Sequence, residues 1–204
     1  MILLNYITKN WIELVGAALS FIYIYFSIKQ KIGLWVLGFL SSAFYVVVFF
    51  QSKLYADMTL QFYYLGVSIY GWIHWKKQAN EEGVELKIQF LKQYQILPFV
   101  LWTIIIFGGY YWVLIRFTDS QVPIGDSFIT ALSIVGTWML AKKLLENWLV
   151  WIVANGLSIA LFLYKGLYPT VMLSIVYTVM SVIGYWDWKR TIPINSKETN
   201  PIPV

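Results

Sequence analysis

The amino-acid sequence predicts an all-α membrane protein with seven transmembrane helices, and three observations carry that prediction. The first is composition: of 204 residues, 59% are hydrophobic, 19% aromatic and only 12% charged. A soluble domain has roughly 45–50% apolar and about 25% charged residues, so this chain lacks the charge to wet its own surface. The second is a set of seven apolar runs, against the about 20 residues that a hydrocarbon core of about 30 Å asks for, the fifth of them short. The third is the placing of lysine and arginine, which cluster on one side of those runs.

Between charged or turn-like breaks the spans are 12–28, 34–51, 58–75, 95–115, 127–141, 148–164 and 170–188. The first begins beside Glu13 without a basic leader, so it reads as a retained helix and not a cleaved signal peptide. The fifth is the shortest. The first, third and fifth connections and the tail hold Lys29, Lys31, Lys76, Lys77, Lys87, Lys92, Lys142, Lys143, Lys189, Arg190 and Lys197. The opposite side holds Lys9, Lys53, Arg116 and Lys165. By the positive-inside rule the larger set is cytoplasmic, which puts the N-terminus outside and the C-terminus inside. The net charge of +5 is then a matter of topology, and nucleic acid is not an expected partner. The connection from Lys76 to Lys92 is expected to carry an amphipathic turn, and residues 191–204 to form a disordered cytoplasmic tail.

The chain also repeats. Residues 13–77 laid without a gap over 126–190, an offset of 113, give about 14 identities in roughly 65 positions. They include Ala18-Leu19-Ser20 with Ala131-Leu132-Ser133, Trp35 with Trp148, Leu54-Tyr55 with Leu167-Tyr168, Tyr64 with Tyr177, Gly71 with Gly184, and Trp75-Lys76 with Trp188-Lys189. Each copy covers three spans, and the fourth restores the direction between them. The expected organisation is therefore a first repeat at 1–77, a cytoplasmic loop and linker helix at 78–125, a second repeat at 126–190 and the tail. Such a 3+1+3 pair of parallel repeats is the plan of small transporters of the SWEET type, whose substrate site lies near the midplane between the copies.

Polar and aromatic residues at helical spacing are the candidates for that site. Trp148, Trp151 and Asn155 fall at i, i+3 and i+7 and project from one face of the sixth helix, with Asn147 beside them. An asparagine at mid-span facing lipid would bury an unpaired amide, at a cost of several kcal/mol, so Asn155 is expected to face protein or a cavity. Trp148 alone suits an interfacial aromatic belt equally well. The repeat-mates of these three are Trp35, Gly38 and Ser42, so one half offers an aromatic wall with an amide and the other small residues that leave room. Gln61, Tyr64 and Ser68 make a second polar stripe on the third helix, with Ser174, Tyr177 and Ser181 as mates. Serines at such positions serve equally as glue between membrane helices. A flat heteroaromatic ring with polar edges, held by stacking and by cation–π attraction if it is cationic, matches this lining.

Ionisable groups inside a membrane mark proton relays and ion sites. Asp57, Glu146 and Asp187 all lie near span ends, and His74 near the cytoplasmic end of the third span. A uniporter is therefore expected and not a coupled pump. With one histidine, no cysteine and no mid-span acid, there is little for a membrane-embedded enzyme to use, and no metal, cofactor or phosphate loop is expected. A binding-only sensor remains the other alternative.

The string Glu146-Asn147-Trp148-Leu149-Val150-Trp151-Ile152-Val153-Ala154-Asn155 resembles the nicotinamide riboside transporter family, PnuC. So do Leu163-Tyr164-Lys165-Gly166-Leu167-Tyr168 and Gly184-Tyr185-Trp186-Asp187-Trp188, with Leu54-Tyr55-Ala56-Asp57-Met58 and Tyr70-Gly71-Trp72-Ile73-His74-Trp75 in the first repeat. The resemblance covers about residues 10–190. It implies a seven-helix SWEET-like fold, a homotrimer, and facilitated diffusion of an unphosphorylated vitamin precursor that a cytoplasmic kinase then traps by phosphorylation. Members of the family also carry thiamine or riboflavin.

Overall fold

The computed structural model describes residues 19, 21–51, 55–81 and 87–192. Most of the first predicted span with Glu13 and Lys9, and also Lys53, Lys197 and the tail beyond 192, lie outside the described residues. Two compact units divide between Gly83 and Val84. The first contains α1 (described over 21–28), α2 (Gly33–Gln51) and α3 (Tyr55–Glu81); the second contains α4 (Gln93–Phe117), α5 (Pro123–Ala141), α6 (Asn147–Tyr164) and α7 (Tyr168–Thr191). Among the described residues the only β pairing is one isolated parallel bridge, Gln89 with Leu144.

Helix positions follow the predicted spans, and the differences have local causes. Helix α5 starts at Pro123, before the predicted 127, because a proline in the first turn loses no helical hydrogen bond. Helix α3 runs to Glu81, past the predicted 75, since Lys76-Lys77-Gln78-Ala79 are good helix formers that continue the helix into water. Four helices, Gln93–Phe117, Pro123–Ala141, Asn147–Tyr164 and Thr170–Thr191, are long and apolar enough to cross a membrane. On α4 no residue is buried within the chain, and Leu97, Trp102, Ile105 and Trp112 stand exposed around it; a helix apolar on every side has lipid as its solvent. The chain is a multi-pass membrane protein.

In the second unit α4 packs on α5, α5 on α6, and α6 on α7; in the first, α2 packs on α3. The turn between the first two helices of each repeat is built identically. Gln30 N–H donates to Ser27 O and Lys31 N–H to Phe26 O, while Lys143 N–H donates to Leu140 O and Leu144 N–H to Met139 O. Every partner is displaced by the same 113 residues. This is the Schellman arrangement, which turns the chain through one left-handed residue. Gln30 (φ 54°) and Lys143 (φ 56°) take that conformation without being glycine, at about 1–2 kcal/mol each. Gly166 (φ 70°) closes α6 in the same manner and carries no such strain.

The connection into α4 is not the expected amphipathic turn where it is described. Residues 87–92 run extended along the α5–α6 turn: Gln89 N–H donates to Lys143 O, Leu145 N–H donates to Gln89 O, and Leu91 N–H donates to a Glu146 carboxylate oxygen at 2.9 Å. Leu91 packs against the core of Val135, Met139 and Leu144. Lys143, Leu144 and Leu145 are buried here, whereas of their repeat-mates Gln30 is half-buried and Lys31 and Ile32 are exposed. Around the helix ends Lys31, Lys76, Lys92, Lys142 and Lys189 each lie 5–6 Å from an aromatic ring centre. All five belong to the larger basic set, as expected of side chains that keep an apolar stem at a membrane surface.

Candidate functional site

The α5–α6 turn delivers the chain directly into the residues singled out from the sequence. Asn147 is fully buried; its Nδ2 donates to Leu144 O at 2.6 Å, which caps the turn, and its Oδ1 has no partner among the described residues. Trp148 is 2% exposed. Its indole lies over Gly184 of α7 and meets Trp188 edge-on, ring centres 5.5 Å apart at 89°. The first unit repeats the arrangement: Trp35, 1% exposed, lies over Gly71 and meets Trp75 at 5.5 Å and 89°. Trp35 and Trp148 are thus pins between the second and third helices of their repeats, and burial removes Trp148 from a lipid-facing belt. Both indole N–H groups lack a hydrogen-bond partner among the described residues.

Three residues deeper, Trp151 is half-buried and rests on Gly136 of α5, where an added Cβ would lie 3.3 Å from its Nε1. Asn155 follows at the centre of α6, half-buried and without a side-chain hydrogen bond among the described residues. Gln61, in the second turn of α3, is half-buried and likewise unpaired among the described residues. Tyr64 and Tyr177 are half-buried at matching positions of α3 and α7. Ser42, Ser68, Ser174 and Ser181 are buried. The hydroxyls of Ser174 and Ser181 donate to the carbonyls of Thr170 and Tyr177 four residues back, which satisfies them within α7. Tyr164 lies exposed at the end of α6.

The room expected over Gly38 is filled. Tyr23 of α1 stands there, its Cε2 3.3 Å from the point a Cβ would occupy. Sequence reasoning passed over Tyr23 and its mate Gly136, although their exchange of ring for glycine, opposite to that of Gly38 and Trp151, is visible in the aligned repeats. At the far end of α5, Asp126 accepts from Lys165 at 2.7 and 3.0 Å and from Ser120 Oγ at 2.7 Å, which ties the α6–α7 turn to the start of α5. Among the described residues no group of three or more His, Asp or Glu is placed to hold a metal ion.

Within apolar helices the second unit thus carries Trp151, Asn155 and Tyr177 half-buried, and the first Gln61 and Tyr64. The family model described as nicotinamide mononucleotide transporter matches residues 10–190. The nicotinamide riboside transporter PnuC of Escherichia coli is 27% identical, over 88% of this chain and 85% of that protein. PnuC of Neisseria mucosa is 26% identical over 92% and 75%, and that of Haemophilus influenzae 23% over 94% and 83%. A crystal structure of the vitamin B3 transporter PnuC superposes with a TM-score of 0.71 at 26% identity, covering 93% of this chain and 85% of that one. With the model matched from the first predicted span to the end of the last, the chain belongs to the nicotinamide mononucleotide transporter family.

Proposed function

We propose that the protein is a uniporter that carries nicotinamide riboside across the bacterial inner membrane by facilitated diffusion, between two three-helix repeats arranged 3+1+3 in the SWEET manner. The observation that carries the reading is Asn155: an amide at the centre of an apolar helix, half-buried and unpaired among the described residues. Leaving such a group without a partner in the membrane costs several kcal/mol. The carboxamide of nicotinamide, both donor and acceptor, complements it. Trp151 lies one turn before Asn155 and offers an indole face to the pyridinium, an attraction of about 2 kcal/mol when desolvated. Gln61, Tyr64, Tyr177 and Ser68 supply polar groups for the ribose, while Trp148, Trp35, Asn147 and Ser42, buried behind them, set the helices that carry these groups.

The family description names the mononucleotide and the relatives' names the riboside. Charge favours the riboside. A phosphate adds about −1.5 to −2 charges at neutral pH and would need a cation. The lysines and arginines of the described helices stand near their ends, as Arg116, Lys76, Lys77, Lys189 and Arg190 do. The same scarcity of mid-span charge supports uniport without an ion, with phosphorylation by a cytoplasmic kinase as the trap and no catalysis in this chain. The basic set and its ring-stacked lysines support an outside N-terminus and an inside C-terminus, and a homotrimer is the assembly that the resemblance implies.

Tryptophan-fluorescence quenching of the purified protein by nicotinamide riboside, thiamine and riboflavin in parallel tests the assignment. Saturable quenching by the riboside, lost in a folded Trp151→Ala variant, is expected. Saturation by thiamine or riboflavin alone would reassign the substrate, and full affinity in Trp151→Ala would remove that residue from the site. Uptake into kinase-free vesicles should survive a protonophore; strong inhibition would refute uniport.

A further inference from the structure

We propose that Gly136 is the positioning residue for Trp151: the absent side chain on α5 sets where the indole stands, and through the indole how tightly an aromatic solute is held. The inference rests on the reading of Trp151 as a wall of the substrate site, and it concerns α5 and α6 alone.

A Cβ added at Gly136 would lie 3.3 Å from Trp151 Nε1, 3.4 Å from its Cε2 and 3.3 Å from Val150 Cγ1. Apolar atoms settle at about 3.5–4.0 Å from one another, so a single methyl group asks its neighbours on α6 to give way by a few tenths of an ångström. Which neighbour gives way depends on its freedom. The methyl is fixed to the backbone of α5, where Val135, Gly136 and Thr137 are all buried. Val150 is packed against the core of Val135, Met139 and Leu144. Trp151 is half-buried and keeps part of its surface open, so the indole is the group that moves, away from α5 and toward its open side.

The same comparison separates Gly136 from the glycines beneath the pins. At Gly184 an added Cβ would lie nearer still to an indole that is enclosed, and the strain falls on the fold. At Gly136 the contact is milder and the ring has somewhere to go, so the strain falls on the position of the ring. Stacking attraction declines steeply with a displacement of that size. Gly136 therefore matters to binding and not to stability, the reverse of Gly184. The first unit, taken by itself, follows the same rule: its half-buried Tyr23 ring also stands over a glycine, Gly38, 3.3 Å from the Cβ position. At the common offset of 113 Tyr23 aligns with Gly136 and Gly38 with Trp151, so in each unit the half-open ring stands over a glycine whichever helix carries it.

The test measures nicotinamide riboside affinity by titration calorimetry, and the thermal unfolding midpoint, on the full chain in detergent. Gly136→Ala should weaken binding about three- to tenfold through the displaced ring. Its midpoint should equal or exceed that of the wild type, because alanine is the better helix former. Gly156→Ala, with nothing within 4 Å, should keep wild-type affinity. Relative to Val150→Ala alone, Gly136→Ala/Val150→Ala should show the same loss as Gly136→Ala, since relieving the valine leaves the indole displaced. Wild-type affinity in Gly136→Ala, with binding lost in Trp151→Ala, would overturn the inference and leave the site assignment standing. A midpoint below wild type in Gly136→Ala, or recovery of affinity in the Val150→Ala background, would make Gly136 a packing residue and overturn it as well. Wild-type affinity in Trp151→Ala would overturn the site assignment itself, and the inference with it.

Discussion

Gly184 is where the structure makes its sharpest demand on sequence. A Cβ added there would lie 2.6–2.7 Å from three atoms of the Trp148 indole, against a favourable carbon–carbon separation of about 3.5–4.0 Å. The ring would have to retreat by about an ångström. Its surroundings do not allow that, because Trp148 is enclosed and braced edge-on by Trp188, which is itself wholly buried. Overpacking of this kind costs about 1–3 kcal/mol, and alanine's advantage over glycine in a helix returns up to about 1 kcal/mol. Gly184→Ala should therefore destabilise by about 1–2 kcal/mol, a fall of about 2–8 °C in the unfolding midpoint for a chain of this size. The assay is thermal unfolding in detergent at one fixed scan rate, since membrane proteins seldom unfold reversibly. Gly71→Ala should behave alike, with the Trp35 ring 2.5–2.7 Å from its Cβ position. Gly156→Ala, on α6 with nothing within 4 Å, is the control and should match or exceed the wild-type midpoint. If Gly184→Ala melts with the control, the two tryptophans are not pinned as described and the account of the repeats as rigid pairs of helices fails.

Lys165→Met removes the ion pair with Asp126, whose side chains are about a quarter exposed. Discounted for that exposure it should cost about 1 kcal/mol or less, seen as a lower midpoint at low salt that converges on wild type in 1 M salt; no difference at low salt would refute it. Glu146→Ala frees Leu91 N–H and should speed amide hydrogen exchange across 87–92, whereas Glu146→Gln, which keeps an acceptor, should change it little. Unchanged exchange in Glu146→Ala would show that the strap is held by other bonds.

The helices were legible because lipid imposes one rule on every residue of a span, and a window of apolar residues records it without reference to partners. The repeat was legible as identities, and the turns at Gln30 and Lys143 show what those identities preserve, hydrogen bond by hydrogen bond. The strap at 87–92 left no such mark. Gln89 bonds through its backbone, and its partners stand 54 and 56 residues away, so no local pattern announces it. Trp148 was read as a wall of the site for a related reason. Spacing along α6 tells which residues share a face, and the face itself is shared between a buried pin and a half-open ring. Only Gly184 and Trp188, on another helix, distinguish the two.

What the duplication kept and what it lost divide by burial. The left-handed turns keep the same donors and acceptors in both units, with φ of 54° and 56°, and the tryptophan pairs keep the same 5.5 Å and 89°. A rearrangement at either would strain a buried ring or a left-handed residue, and each repeat would have to absorb that strain alone. Where the rings are half-open the copies diverge: tyrosine over glycine in one, glycine under tryptophan in the other, serine opposite asparagine at 42 and 155. The half-open positions carry no such constraint, because a ring with free surface on one side can move from one helix to its neighbour without straining a buried partner.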